Sequence, residues 1–301
     1  MKPTVVILLS DKRSGSTQFE RELCRHRDVQ HASYCAHSYN ETHHWLKSAV
    51  VLDMPSRHFA DGHRYKGYGG KKGARALLVS QLRGNLPDFT LPGDDRRLVF
   101  EGWEAMCRKF AQPVFFEKSP QHLAHWSALS LMLEWAQETD LEVKFIGLVR
   151  NPAAVLHSAW ELFGTAPQTR QDGWVSIHQN LLAFQSMLPH GDYLGVAYED
   201  MVSNPQECFE RVLKFVGLEE DPAVGAEVHG KSLEKWRTNE SFSFTPNSAT
   251  IQMAQRFGYE PSEITPEVSS TRSPRRLRVS RVIQSFRNRV WNPLRLRWRH
   301  R

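Results

Sequence analysis

Cysteine is scarce in this chain of 301 residues: Cys24, Cys35, Cys107 and Cys208 are scattered, with no C-x-x-C pair. That spacing excludes a zinc knuckle and a dense disulfide framework, and it suits a reduced compartment. No apolar run approaches the roughly 18 residues a membrane span needs. The first candidate strand begins at Thr4, which leaves no room upstream for a signal peptide, so a cytoplasmic protein is expected. Carboxylate pairs at metal-ligand spacing are missing, and the scattered histidines read as ordinary residues, so no metal is expected. There is no internal repeat, and low complexity is confined to the carboxyl-terminal segment.

Acidic residues are also missing from one end. From Thr271 onward there are 11 arginines and no Lys, Asp or Glu. The formal charge of +6 therefore hides an uneven distribution, because residues 1–270 carry 28 basic against 33 acidic side chains, a balance of −5. The basicity belongs to a tail and says little about the substrate of the rest. Residues 1–262 are expected to form one domain and 263–301 an Arg-rich tail. In that tail Val279, Val282, Ile283, Phe286 and Val290 recur at helical spacing among Arg276, Arg278, Arg281, Arg287 and Arg289. Pro293 ends the pattern. A basic amphipathic helix on an anionic membrane, at the inner face, is the first reading, with plain disorder the alternative and nucleic acid a distant third.

What the chain does have is an apolar run, Val5 to Leu9, that stops in a short loop of small and basic residues, SDKRSGST, before Gln18 to Cys24, a predicted helix. A continuous Val/Ile/Leu run reads as a buried parallel strand, and the loop at its carboxyl end is where α/β proteins hold phosphates. Ser14, Gly15 and Ser16 are small enough to let an anion approach main-chain N–H groups at the helix start. The nucleoside-triphosphatase pattern G-x-x-x-x-G-K-[ST] is not met: no Lys precedes Thr17, Ser10 stands at the first Gly, and the basic Lys12 and Arg13 come before Gly15 instead.

Three more runs read as strands: Pro113 to Lys118, Glu142 to Arg150 and Tyr193 to Tyr198. Helical stripes follow each of them. One is Leu123, Trp126, Leu129, Leu133 and Ala136; a second, capped by Asn151 with Pro152 and stopped by Gly164, puts Leu156, Ala159, Trp160 and Phe163 inward. A third spans Asp172 to Leu188, and Asn204-Pro205 opens a fourth that ends at Gly217. Alternating strands and helices predict an α/β fold with a central, mostly parallel sheet flanked by helices, three-layered and P-loop-like, with its ligand at the strands' carboxyl ends. The region around Ser38 to Trp45 shows no clear period. Lys66 to Gly73, KGYGGKKG, reads as a flexible connection or a flap before an apolar stripe at Ala74, Leu77, Leu78 and Leu82.

Four segments resemble the sulfotransferases that use 3′-phosphoadenosine 5′-phosphosulfate (PAPS), and their carbohydrate or heparan-type branch in particular. DKRSGST is similar to the 5′-phosphosulfate loop, which would make Lys12, Arg13, Ser14, Gly15, Ser16 and Thr17 donor contacts. LVRNPAAVLHSAW resembles the 3′-phosphate motif, placing Arg150 and Ser158 on that phosphate; a guanidinium at a strand tip offers a bidentate fork. FFEKSPQHL is similar to the strand end whose lysine, here Lys118, reaches the transferring sulfuryl group. NETHHW resembles the segment bearing the branch's catalytic glutamate, which implies Glu41 as base, with His43 and His44 as rivals because histidine titrates near neutral pH. It departs from that branch at Asn40, where a Lys is usual.

YEDM at Tyr198 resembles the strand and helix after the 3′-phosphate motif, with Tyr198 near the adenine or simply in the core. HGKSLEKWR is similar to a loop that closes over the nucleotide, with Lys231 and Arg237 as contacts. The resemblance implies metal-free in-line transfer from PAPS to a hydroxyl, on a carbohydrate or glycolipid-like acceptor, with Arg13 and Lys118 stabilising the moving group. Competing readings are a nucleotide or small-molecule kinase, and a non-catalytic membrane- or RNA-binding protein that works through its tail.

Overall fold

A computed structural model describes residues 2–54, 70–230 and 233–266. Lys231, the Gly-rich stretch through Gly69, and the whole Arg-rich segment from Thr271 lie outside the described residues. The chain divides into two compact units, residues 1–149 with 179–228, and residues 150–178 with 229–301.

The first unit is built on a five-stranded sheet, β1 (Thr4–Ser10), β2 (Val29–Gln30), β3 (Val114–Lys118), β4 (Glu142–Val149) and β5 (Tyr193–Ala197). Its order is β2-β3-β1-β4-β5, and every pairing is parallel. The apolar run beginning at Val5 becomes the central strand, buried at all seven residues of β1. A parallel strand covered on both faces has no polar side to show, which is why the run does not alternate. In register, Leu8 faces Lys118 on β3, while Ser10 faces Leu148 on β4. The carboxyl ends of β1 and β3 therefore finish side by side.

The helices that complete this unit are α1 (Ser16–Leu23), α2 (His44–Val51), α3 (Gly70–Asn85), α4 (Asp95–Phe110) and α5 (Trp126–Glu138). Further along the chain come α6 (Pro152–Phe163), α7 (Pro167–Gln185), α8 (Tyr198–Ser203), α9 (Pro205–Phe215), α10 (Lys235–Thr238), α11 (Ser248–Gln255) and α12 (Pro261–Ile264). Of these, α8 and α9 belong to the first unit and α6, α10, α11 and α12 to the second.

Several expectations need correcting. The region from His44, read as irregular, is a helix whose every residue is buried, Lys47 and Ser48 included. Its Trp45 joins Trp103, Trp135 and His44 in an aromatic cluster with edge and tilted contacts of 4.6–6.1 Å, geometry that suits ring quadrupoles. On α5 the buried face is Ala128, Leu129, Leu131, Met132 and Trp135, rotated from the predicted stripe. The start of α7 lies five residues before Asp172. Asn204 makes no side-chain cap bond, although Pro205, Glu207 and the left-handed Gly217 stand as read.

In the second unit the cap at Asn151 is as read: its Oδ1 accepts from the N–H groups of Ala153 and Ala154, and Gly164 closes α6 at φ 70°. Ala153, Ala154 and Leu156 pack with Trp236, Phe242 and Phe244. Phe163, expected inward, is 57% exposed.

Candidate active site

The turn from β1 into α1 uses two left-handed residues, Arg13 at φ 74° and Gly15 at φ 95°. Ser14 N–H donates to the Asp11 carbonyl at 3.2 Å, and Gly15 O accepts from Gln18 and Phe19 N–H. Gly15 is the N-cap of α1 and supplies no side-chain bond to it. The helix start therefore offers its first N–H groups and the positive end of its dipole toward the loop. Ser14 is buried and its hydroxyl lacks a hydrogen-bond partner among the described residues. A buried hydroxyl in that state is costly unless a bound group completes it. Tyr198, the first residue of α8 and 2% exposed, packs its ring against Gly15.

The end of β3 supplies the cation. Lys118 is 1% exposed, and its Nζ lies 3.2 Å from Glu41 Oε1, 3.4 Å from Glu20 Oε2 and 3.4 Å from Thr17 Oγ1. The half-exposed ring of Tyr39 stands 5.8 Å from the same ammonium. One buried charge thus ties the phosphate-type turn, through Thr17 and Glu20 on α1, to the segment carrying Glu41.

Glu41 is held from both sides. Its Oε2 accepts from His43 Nε2 at 2.9 Å while its Oε1 meets Lys118. Burial pushes the Glu41 carboxyl up, but the His43 hydrogen bond and the Lys118 charge outweigh it and leave the group below the ordinary carboxylate range. Burial lowers His43, against the pull of Glu41. Neutral His43 donating to ionised Glu41 is the arrangement those directions require. Glu20 shares Lys118, and His31 and Asn40 also favour its ionised form, but burial dominates and raises it.

His44 drops out as a base. It is fully buried, its Nε2 is bonded to the Val99 carbonyl at 3.1 Å, and burial lowers its pKa to about 3. Two residues at this site had no signal in the sequence. Glu20 looks like an ordinary helix acid beside Arg21, and only the phase of α1 against β3 turns it to Lys118. Tyr39 sits in a left-handed conformation, φ 63°, that a sequence does not announce for an aromatic residue.

Residues 3–222 match the family described as the sulfotransferase family. The chain belongs to that family.

Among solved structures it is similar to the sulfotransferase domain of the olefin synthase of Synechococcus PCC 7002, at 19% identity and TM-score 0.59 over 85% of this chain and 95% of that one. It is similar also to the sulfotransferase domain from the curacin biosynthetic pathway, at 19% identity and TM-score 0.60 over 86% of this chain and 98% of that one. At this identity the likeness is one of fold. No curated protein sequence matches the chain.

For a sulfotransferase the remaining predicted residues fall as follows. Lys12 is half-buried and Arg13 exposed, both on the turn before Gly15. Arg150, 6% exposed, and the half-buried Ser158 on α6 belong to the second unit. So does Arg237, on α10, whose guanidinium lies over the Trp236 ring at 4.4 Å and bonds Glu234 at 3.0 Å and the Glu263 carbonyl at 3.2 Å. No cluster of metal-ligating side chains occurs among the described residues, and none of their helices is long and apolar enough to cross a membrane.

Proposed function

We propose that this sulfotransferase takes its sulfuryl group from PAPS and passes it to a hydroxyl of a carbohydrate or glycolipid-like acceptor. The observation that carries the reading is the position of Lys118, whose ammonium reaches Thr17 in the first turn of α1 and the Glu41 carboxylate at once. A donor bound at that turn supplies an activated sulfur joined to a phosphate leaving group. The residues present fit it: an α1 start without a side-chain cap, a buried Ser14 hydroxyl without a hydrogen-bond partner among the described residues, and Lys12 and Arg13 beside them.

In the reaction Glu41 accepts the proton that the acceptor hydroxyl loses as its oxygen bonds to sulfur. His43 holds the Glu41 carboxylate in place by its N–H. Lys118, with Arg13, meets the negative charge that gathers on the sulfuryl and leaving oxygens as the S–O bond to phosphate opens. Because Glu41 is already ionised and hydrogen-bonded, it is a late proton acceptor, useful once the hydroxyl has acidified by bonding to sulfur. Arg150 and Ser158 are assigned to the 3′-phosphate, and Tyr198, Lys231 and Arg237 to the nucleotide, by the resemblance of their segments. The buried Tyr198 also serves the fold of the first unit, whatever it touches in the donor.

A kinase reading needs a lysine immediately before Thr17, where this chain has Ser16. The test is calorimetric titration with adenosine 3′,5′-bisphosphate, on the full chain and on Arg150→Ala. Micromolar binding that weakens at least tenfold in the variant supports the assignment; no heat from the parent protein overturns it. The membrane-peripheral placement rests on the composition of residues 271–301, which are not among the described residues. Flotation with anionic liposomes, comparing the full chain with one ending at Ser270, tests it, and equal recovery removes the membrane contact.

A further inference from the structure

Beneath the Lys118–Glu41 pair lies a second carboxylate that the reaction does not use. Glu117 is 2% exposed, and one oxygen, Oε1, accepts two hydroxyls: Thr42 Oγ1 at 2.7 Å and Ser119 Oγ at 2.5 Å. Both hydroxyls pass the connection on. Ser119 Oγ accepts from the His43 backbone N–H at 2.9 Å, and Thr42 Oγ1 from the His44 N–H at 3.2 Å. From the other side the buried ammonium of Lys47 donates to the Thr42 carbonyl at 2.7 Å and to Gln81 Oε1 at 3.0 Å. Thr42 and His43 are thus tied to Glu117, Ser119 and Lys47 at three points, and His44 N–H to Thr42 closes the segment on itself.

The segment needs such support. Tyr39, Asn40 and His43 all have positive φ, at 63°, 55° and 47°, and none is glycine. Left-handed backbone is unfavourable for a residue with a side chain, most of all for an aromatic one, and it persists only where the surroundings over-determine it. Glu41 lies inside this run. Its carboxylate direction is set by the turn and by His43, whose ring it faces.

We infer that Glu117 is a positioning residue for the Glu41–His43 pair, fixing through Thr42 and Ser119 the strained turn that aims Glu41 at Lys118. This rests on the reading of Glu41 as the base. The second oxygen of Glu117 has no hydrogen-bond partner among the described residues, and His122 Nδ1 is 3.8 Å away. Burial pushes the Glu117 carboxyl up to about 7, against the two hydroxyls. A group that sits half-ionised near neutral pH acts here as a hydrogen-bond acceptor, and the acceptor oxygen survives protonation of its neighbour.

That distinction fixes the experiment. Glu117→Gln keeps an oxygen able to accept both hydroxyls; Glu117→Leu removes it. Turnover is read as PAPS hydrolysis, with water as the acceptor, so that no particular acceptor is assumed. Donor-site integrity is read by calorimetry with adenosine 3′,5′-bisphosphate, and the turn by the His43 imidazole resonances in the full chain. Glu117→Leu is expected to lower kcat by about 10- to 100-fold, the scale of a misplaced reacting group, with nucleotide Kd within about twofold and the His43 resonances shifted; Glu117→Gln recovers most of the kcat. Should Glu117→Leu not fold, Ser119→Ala cuts one link only and is expected to shift the same resonances with a smaller kcat loss. Unmoved His43 resonances in the Leu and Ala variants, or equal losses in Leu and Gln, overturn the inference. A Glu41→Gln protein that hydrolyses PAPS like the parent refutes instead the base assignment, and the His43 resonances still decide the role of Glu117.

Discussion

The ring of Tyr198 occupies the space a side chain on Gly15 would need: a Cβ there would collide with Tyr198 Cε2 and Cδ2. Gly15 is thus required twice, by φ 95° and by the packing of a residue 183 positions later. Gly15→Ala is expected to displace the turn and weaken adenosine 3′,5′-bisphosphate binding by at least tenfold in calorimetry. Tyr198→Phe keeps every ring carbon and is expected to bind within about threefold of the parent, whereas a full loss would give the hydroxyl a role of its own.

Glu41→Gln removes the proton acceptor while keeping the side chain's shape. Turnover should fall by about 10² to 10⁴, with nucleotide Kd unchanged, in paired rate and titration measurements. His43→Asn should cost less, because the ionised carboxylate remains. A His43 variant that loses as much as Glu41→Gln would make the histidine the base.

Lys118→Met leaves Glu20 and Glu41 without the charge that lies 3.2–3.4 Å from each. Both carboxyls lose a pKa-lowering partner, so their folded-state values rise. The unfolded carboxyls titrate alike in both proteins, so the sign follows from the folded ones: the variant's penalty is smallest below the depressed pKa of Glu41 in the parent, and it grows as pH rises through that value and through the raised pKa of Glu20. Urea unfolding should show a gap of about 3–5 kcal/mol at pH 7, narrowing as the carboxyls are protonated in acid. A gap independent of pH would mean that the loss is one of packing.

Glu117 shifts the other way. With its folded pKa pushed up to about 7 from 4.5, the folded chain keeps a proton the unfolded chain releases, so its contribution is complete below about pH 4.5 and is lost as pH rises to 7. Glu117→Gln has no such proton to lose. Relative to the parent it should therefore unfold at higher urea at pH 8 than at pH 4.5, by an amount of order a few kcal/mol. Parallel pH profiles for the two proteins would refute the raised value.

Asn151→Ala removes a cap that accepts from two N–H groups and donates to the Glu263 carbonyl at 2.9 Å. A cost of about 1–2 kcal/mol is expected from thermal unfolding; Asn151→Asp, which keeps the cap oxygen, should cost less.

The sheet was readable because a strand buried on both faces advertises itself: Val5 to Leu9, Val114 to Phe116 and Phe145 to Val149 are apolar without a break. Asn151, Pro152 and Gly164 marked α6 because caps act locally. What escaped was polarity used inside the protein. His44, Lys47 and Ser48 make the start of α2 look like surface, yet each is buried, and Lys47 is reconciled to that by Thr42, Gln81 and a pKa lowered to about 8 by burial. Phe163 is the converse, an apolar residue at the right spacing left in solvent. Lys118, Thr17 and Glu41 were found through their motifs; Glu20 and Glu117 were missed, because which way an acid faces depends on packing between segments about a hundred residues apart.

β1 lies between β3 and β4 and is buried along its whole length. Its amides have no local route to deuterium: only cooperative opening of the first unit uncovers them. A peptide covering Thr4 to Ser10, followed by mass spectrometry, is therefore an internal clock for whole-unit opening, and peptides through the Tyr39–His43 turn, timed against it, separate fluctuation of the base from collapse of the scaffold.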